Sequence, residues 1–174
     1  LAAIAAAIGG YLVLRGDDGS NRTPGSIGSW DRVSERDLLP EVENSEHSVF
    51  AEYQRPGEST PSMRVSLIGR AEQSAPGGLT DDLLRKLFDS GTRQSGVYLE
   101  PSEAVDSVGL GGSLRCMRHQ GYGTDFPGPV RECIASDEHF ISAAITFTGR
   151  EASAPVDPAG IAAVRRALIE ANNG

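Results

Sequence analysis

The sequence predicts an α+β domain: an antiparallel sheet of about five or six strands with two packed helices, preceded by an N-terminal membrane helix. Three observations carry this prediction. The stretch from Ser113 to Phe147 holds both cysteines and the most strand-like alternation in the chain. Two amphipathic stretches, opening at Thr80 and at Asp157, carry helix start signals. The first fourteen residues contain no charge at all.

Leu1 to Leu14, LAAIAAAIGGYLVL, ends abruptly at Arg15-Gly16-Asp17-Asp18. It is shorter than the roughly 20 residues that span a bilayer as a helix. The chain opens on Leu rather than Met, so the run is expected to be the second half of a transmembrane helix. A cleaved signal peptide is the competing reading, because Ala5-Ala6-Ala7 resembles a small-residue cleavage site. The apolar run nevertheless continues through Leu14, where a signal would have ended. Residues 15–36 are rich in Gly, Ser, Asp, Asn and Pro, cannot build a core, and read as a flexible linker. Trp30 is the one residue in it that a solvated linker does not need. Arg15-Gly16-Asp17 and the sequon Asn21-Arg22-Thr23 are patterns short enough to arise by chance.

Residues 37–174 are expected to form one extracytoplasmic domain. Ser48–Tyr53 and Met63–Gly69, joined through Arg55-Pro56-Gly57-Glu58, read as a hairpin. Thr80 caps a helix with Asp81 and Asp82 in its first turn, Leu83, Leu84, Leu87 and Phe88 as its apolar face, and Gly91 as its end. Short strands are expected at Val97–Leu99 and at Val105–Leu110. In the last, Gly109-Leu110-Gly111-Gly112 lacks the Lys-Ser/Thr and the following helix that a phosphate loop needs.

Leu114, Cys116 and Arg118 then alternate with Arg115, Met117 and His119, and Val130 to Ile134 supplies a partner strand. A third strand runs to Phe147, with Ile141, Ala143, Ile145 and Phe147 on one face, giving a three-stranded meander. Finally Asp157 caps and Pro158 starts a helix with Ile161, Val164, Leu168 and Ile169 on one stripe.

On neighbouring strands, Cys116 and Cys133 are expected to form a disulfide with Cα atoms roughly 4.4 to 6.8 Å apart. Free thiols and a metal site with His119 and His139 are the alternatives. Alternation puts Cys116 and His119 on opposite faces of a strand, and no paired C-x-x-C is present.

With 39% apolar side chains the chain can bury one proper core. A formal charge of −8, with a single lysine, excludes a nucleic-acid surface, which needs clustered cations. No Gly-x-Ser-x-Gly elbow is present, and no cofactor is implied. Asp137 and His139 could serve an anchored or secreted hydrolase if buried in a cleft, but a polar triplet between strands is ordinarily a hairpin turn.

The apolar run, the acidic tether, Gly111-Gly112-x-x-x-Cys116, the second cysteine before Ser136-Asp137, and the C-terminal helix together resemble a group of uncharacterised actinobacterial membrane-anchored extracytoplasmic proteins with a two-cysteine C-terminal domain. Where that group carries Trp two residues after the second cysteine, Ala135 stands here. More loosely, the implied architecture is similar to the sheet-and-helix fold of certain mycobacterial lipoproteins. The resemblance implies a single-pass protein of the cell membrane, with the membrane as partner through the N-terminal helix. Its domain would lie outside the cytoplasm and serve a non-enzymatic binding or envelope-associated role, and no catalytic residues come with it.

Overall fold

The computed structural model describes residues 22–37, 48–68, 79–95, 99–121, 128–136 and 142–172. The expected membrane helix at 1–14 lies outside them. No helix among the described residues is long and apolar enough to cross a membrane.

The described chain is α+β. Its elements run β1 (Ser26–Ile27), β2 (Trp30–Asp37), β3 (Ser48–Gln54), β4 (Met63–Ile68), α1 (Asp81–Ser95), β5 (Glu103–Ala104), β6 (Ser113–Gln120), β7 (Pro129–Ser136), β8 (Ser142–Phe147), α2 (Gly149–Ser153) and α3 (Pro158–Asn172). The strands form one antiparallel sheet in the order β1-β2-β3-β4-β8-β7-β6-β5. Two meanders, each consecutive in sequence, therefore meet where β4 pairs with β8. The expected hairpin is β3–β4 and the expected meander is β6–β7–β8. The sheet has eight strands among the described residues rather than five or six, and three helices rather than two.

Because strand side chains alternate, β6, β7 and β8 each contribute to two cores. One face carries Tyr53, Val65, Leu67, Cys116, Cys133 and Ile145 beneath Ile161, Val164 and Leu168 of α3. The other carries Met117, Ile134 and Ala144 beneath Leu84 and Phe88 of α1. All six residues of β8 are buried, as its central place requires. Ile145 and Phe147 face the α3 side as the alternation predicts, while Ile141 lies outside the described residues. Each fully buried Leu or Ile on α3 stabilises the domain by about 1.5–3 kcal/mol relative to exposure.

Much of the expected linker belongs to the sheet instead: β1 and most of β2 fall within 15–36. The strand was hidden because a bulge between Arg32 and Ser34 breaks the two-residue period and leaves Val33 52% exposed. Side-chain bonds fasten the entry to the sheet. Arg32 reaches Glu35 at 2.6 Å, and the Thr23 hydroxyl donates to the same carboxylate. Asn172, in the last turn of α3, exchanges hydrogen bonds of 2.8 and 2.9 Å with the backbone of Arg22.

Two further expectations are corrected. Gly91 does not end α1, which runs on to Ser95; an interior glycine costs a helix about 1 kcal/mol against alanine but does not forbid it. The strand expected at Val105–Leu110 is a turn, closed by the Leu110 N–H donating to the Ser107 carbonyl at 3.2 Å. Its central residues, Val108 and Gly109, both have positive φ, 51° and 77°, which no strand residue adopts. The strand lies just upstream, at Glu103–Ala104, opposite Cys116 and Arg115. Val97 and Tyr98 fall outside the described residues.

Candidate functional site

The connections at one end of the sheet come together around a pair of clefts, and the β3–β4 loop forms a wall of the larger one. Pro56-Gly57 turns the chain, with Gly57 at a φ of 87° that favours glycine. The Glu58 carboxylate then gathers the loop, accepting from the Arg55 N–H at 2.9 Å and from the Ser62 hydroxyl at 2.6 Å. Burial acts to raise the Glu58 pKa, but the Ser62 hydroxyl, the Arg55 N–H and the Arg55 guanidinium outweigh it and hold the group below its ordinary value. Ser62 also accepts the Trp30 indole N–H at 3.1 Å. Thr148 ties the loop to the end of β8, donating its N–H to Ser62 and its hydroxyl to Pro61.

Arg55 crosses this wall. Its guanidinium lies 4.2 Å from the Trp30 ring centroid and pairs with Glu151 of α2 at 2.6 Å. On one side opens a cleft of about 810 Å³ walled by residues 57–62, Arg64, Gly128–Val130 and Thr148–Glu151. Beside it is a smaller pocket of about 260 Å³, bounded by Trp30, Phe147, Pro155, Ile161, Val164 and Arg131. Glu151 belongs to both. The Trp30 and Phe147 rings meet at 6.3 Å, tilted by 48°.

Arg131 is the unusual member. It lies on β7, directly opposite Phe147 on β8 and Arg118 on β6, and is only 7% exposed. Its Nη2 donates to the carbonyls of Ala154 at 2.6 Å and Ala152 at 3.4 Å, where α2 ends. Its Nε has no hydrogen-bond partner among the described residues.

The sequence-predicted pair is joined: Cys116 and Cys133 are directly opposite in the β6–β7 register and form a disulfide, with no free cysteine among the described residues. Their Cα atoms are 4.0 Å apart, closer than the expected spread. Directly opposed strand residues at a narrow, non-hydrogen-bonded position approach in this way. With both sulfurs in the bridge, the free-thiol and metal readings do not apply. His119 is buried on the opposite face, its Nε2 3.5 Å from the Glu132 carboxylate. Asp137 and His139 lie outside the described residues.

The clefts were not anticipated, yet one signal for Arg131 was legible: it shares its strand parity with Cys133 and Ala135, which marks a charge pointing into a core. Trp30 stood out only as a residue that a solvated linker does not need, and nothing flagged Glu151; the roles of both depend on the meeting of distant loops. No protein-family model, curated protein or solved structure matches the chain.

Proposed function

We propose that this chain is a membrane-anchored extracytoplasmic domain that binds a ligand or an envelope partner without transforming it. The observation that carries the reading is the connected cluster of side chains around the two clefts. Glu58, Ser62, Trp30, Arg55 and Glu151 engage one another before any ligand arrives, and such preorganisation lowers the cost of binding. The same cluster is poorly suited to catalysis. Glu58 is the carboxylate that touches the Ser62 hydroxyl, and a carboxyl group held below its ordinary pKa is a weak general base at neutral pH.

Two features support the compartment and the anchor. The Cys116–Cys133 bridge belongs to oxidising surroundings. The uncharged run Leu1–Leu14 has lipid as its natural environment. Expression of the full-length chain in its own host tests the reading. It should stay with the membrane fraction until detergent is added, and protease supplied to intact protoplasts should remove the domain. Recovery in the soluble fraction, or survival of the domain under protease, overturns it.

A further inference from the structure

We propose that the smaller pocket, between β2, β8 and α3, binds a monocarboxylate with an apolar, ring-sized body: the carboxylate sits on Arg131 and the body lies against Trp30 and Phe147. This rests on the binding reading above and names the ligand class for it.

The first argument is an electrostatic demand left unmet. A guanidinium removed from water needs a counter-charge as well as hydrogen-bond acceptors. Arg131 is buried, with only 7% of its surface exposed. Its partners among the described residues are two main-chain carbonyls, which satisfy Nη2 without neutralising the charge. Its buried Nε has no partner among them. Arg118, directly opposite on β6, adds a second positive charge, and its own carboxylate, Glu100 at 2.5 Å, is engaged there. Like charges facing each other across two strands repel. An anion in the pocket that Arg131 lines would supply the missing charge.

The second argument is shape. Trp30, Phe147, Ile161 and Val164 give the pocket apolar walls beside Arg131, the one cation among the described residues that line it. A volume of about 260 Å³ exceeds the roughly 150 Å³ in which an apolar cavity takes up benzene, so an aryl ring and one carboxylate can be accommodated together. The Trp30 ring is held for this by Arg55 over its face and by Ser62 on its N–H.

The third argument decides the charge of the ligand. Glu151 and Asp157 also line the pocket. Arg55 engages Glu151, and an Asp157 oxygen accepts the Ala159 N–H at the start of α3, yet both remain negative and would repel a dianion more than a monoanion. The pocket therefore suits a carboxylate over a phosphomonoester.

Trp30 is the chain's single tryptophan, so its fluorescence reports this pocket directly. The purified full-length chain is titrated with phenylacetate, with neutral phenylacetamide and with phenyl phosphate. Phenylacetate should give a saturable change at concentrations about tenfold or more below either comparator, the usual advantage of a charge-assisted contact. Arg131→Gln should abolish that preference, whereas Arg85→Gln, on the outer side of α1, should leave it intact. If Arg131→Gln fails to fold, the comparison of three ligands on the unaltered chain still decides.

Equal binding of acid and amide overturns the role of Arg131, and tighter binding of phenyl phosphate overturns the monoanion class. The lack of any saturable change overturns the proposal as a whole. A chain that is membrane-bound and protease-accessible but ignores phenylacetate refutes this ligand class alone. A chain recovered in the soluble fraction refutes the anchored reading whatever Trp30 reports.

Discussion

Removing the Cys116–Cys133 bridge should cost the domain a large part of its stability, and the structure permits the cost to be divided. The cysteines are 17 residues apart in sequence. For a loop of that length the chain-entropy relation gives about 3 kcal/mol at 25 °C, through the wider unfolded ensemble. The double variant Cys116→Ala/Cys133→Ala isolates this contribution, because alanine leaves no polar atom behind. Cys133→Ser should cost more. Position 133 is fully buried among apolar neighbours, so the new hydroxyl adds about 1–2 kcal/mol of desolvation, for a total of about 4–5 kcal/mol. A domain of this size has only about 5–15 kcal/mol to lose.

Urea unfolding followed by far-UV circular dichroism measures the difference. For an m-value near 2 kcal/mol/M, the double variant should show a midpoint about 1.5 M below the oxidised protein. The reduced wild type should behave alike. A double variant that unfolds within about 1 kcal/mol of the oxidised protein would refute the reasoning. It would mean that pairing of β6 with β7 holds the segment without help.

Two other outcomes follow from particular residues. Val108→Asn should raise stability by about 1 kcal/mol, or roughly 2–4 °C in Tm, because Val108 is a β-branched residue held at positive φ in a turn that asparagine tolerates; calorimetry checks it, and a lower Tm would contradict it. Glu58 has a folded pKa below its ordinary value of 4.5, so its contribution is present above that value and lost as pH falls through the folded pKa. Glu58→Gln should thus be about 1 kcal/mol less stable than wild type at neutral pH, where a charge-assisted bond is lost in a half-exposed loop. The two proteins should converge in acid, and a gap that persists unchanged there in denaturant titrations would rule the account out.

Local chemistry made a good part of this fold legible. Alternation around Val49–Tyr53, Met63–Leu67 and Leu114–Phe147 announced strands because one residue in two must point at a core. Thr80 and Asp157-Pro158 announced helices because orphan N–H groups and a fixed φ are satisfied within a single turn. The cysteine pairing was legible too, since two cysteines on consecutive antiparallel strands have few other ways to meet. The candidate site was barely readable: the inward parity of Arg131, and at Trp30 an indole that a linker does not need, were its local traces.

What the sequence determined by itself was therefore which stretches extend, which coil, and that Cys116 would find Cys133. The tertiary structure alone decided that β4 and β8 meet at the centre, that the stretch around Trp30 is a bulged strand rather than linker, and that β8 is covered on both faces. It also brought Trp30, Arg55, Arg131 and Glu151, distant in sequence, around one pair of clefts. The physical reason is range. Capping, turn chemistry and alternation act over a few residues and leave a periodic mark in the chain. Strand order and pocket walls arise from which apolar faces cover one another, and that interaction depends on area and shape without regard to sequence distance.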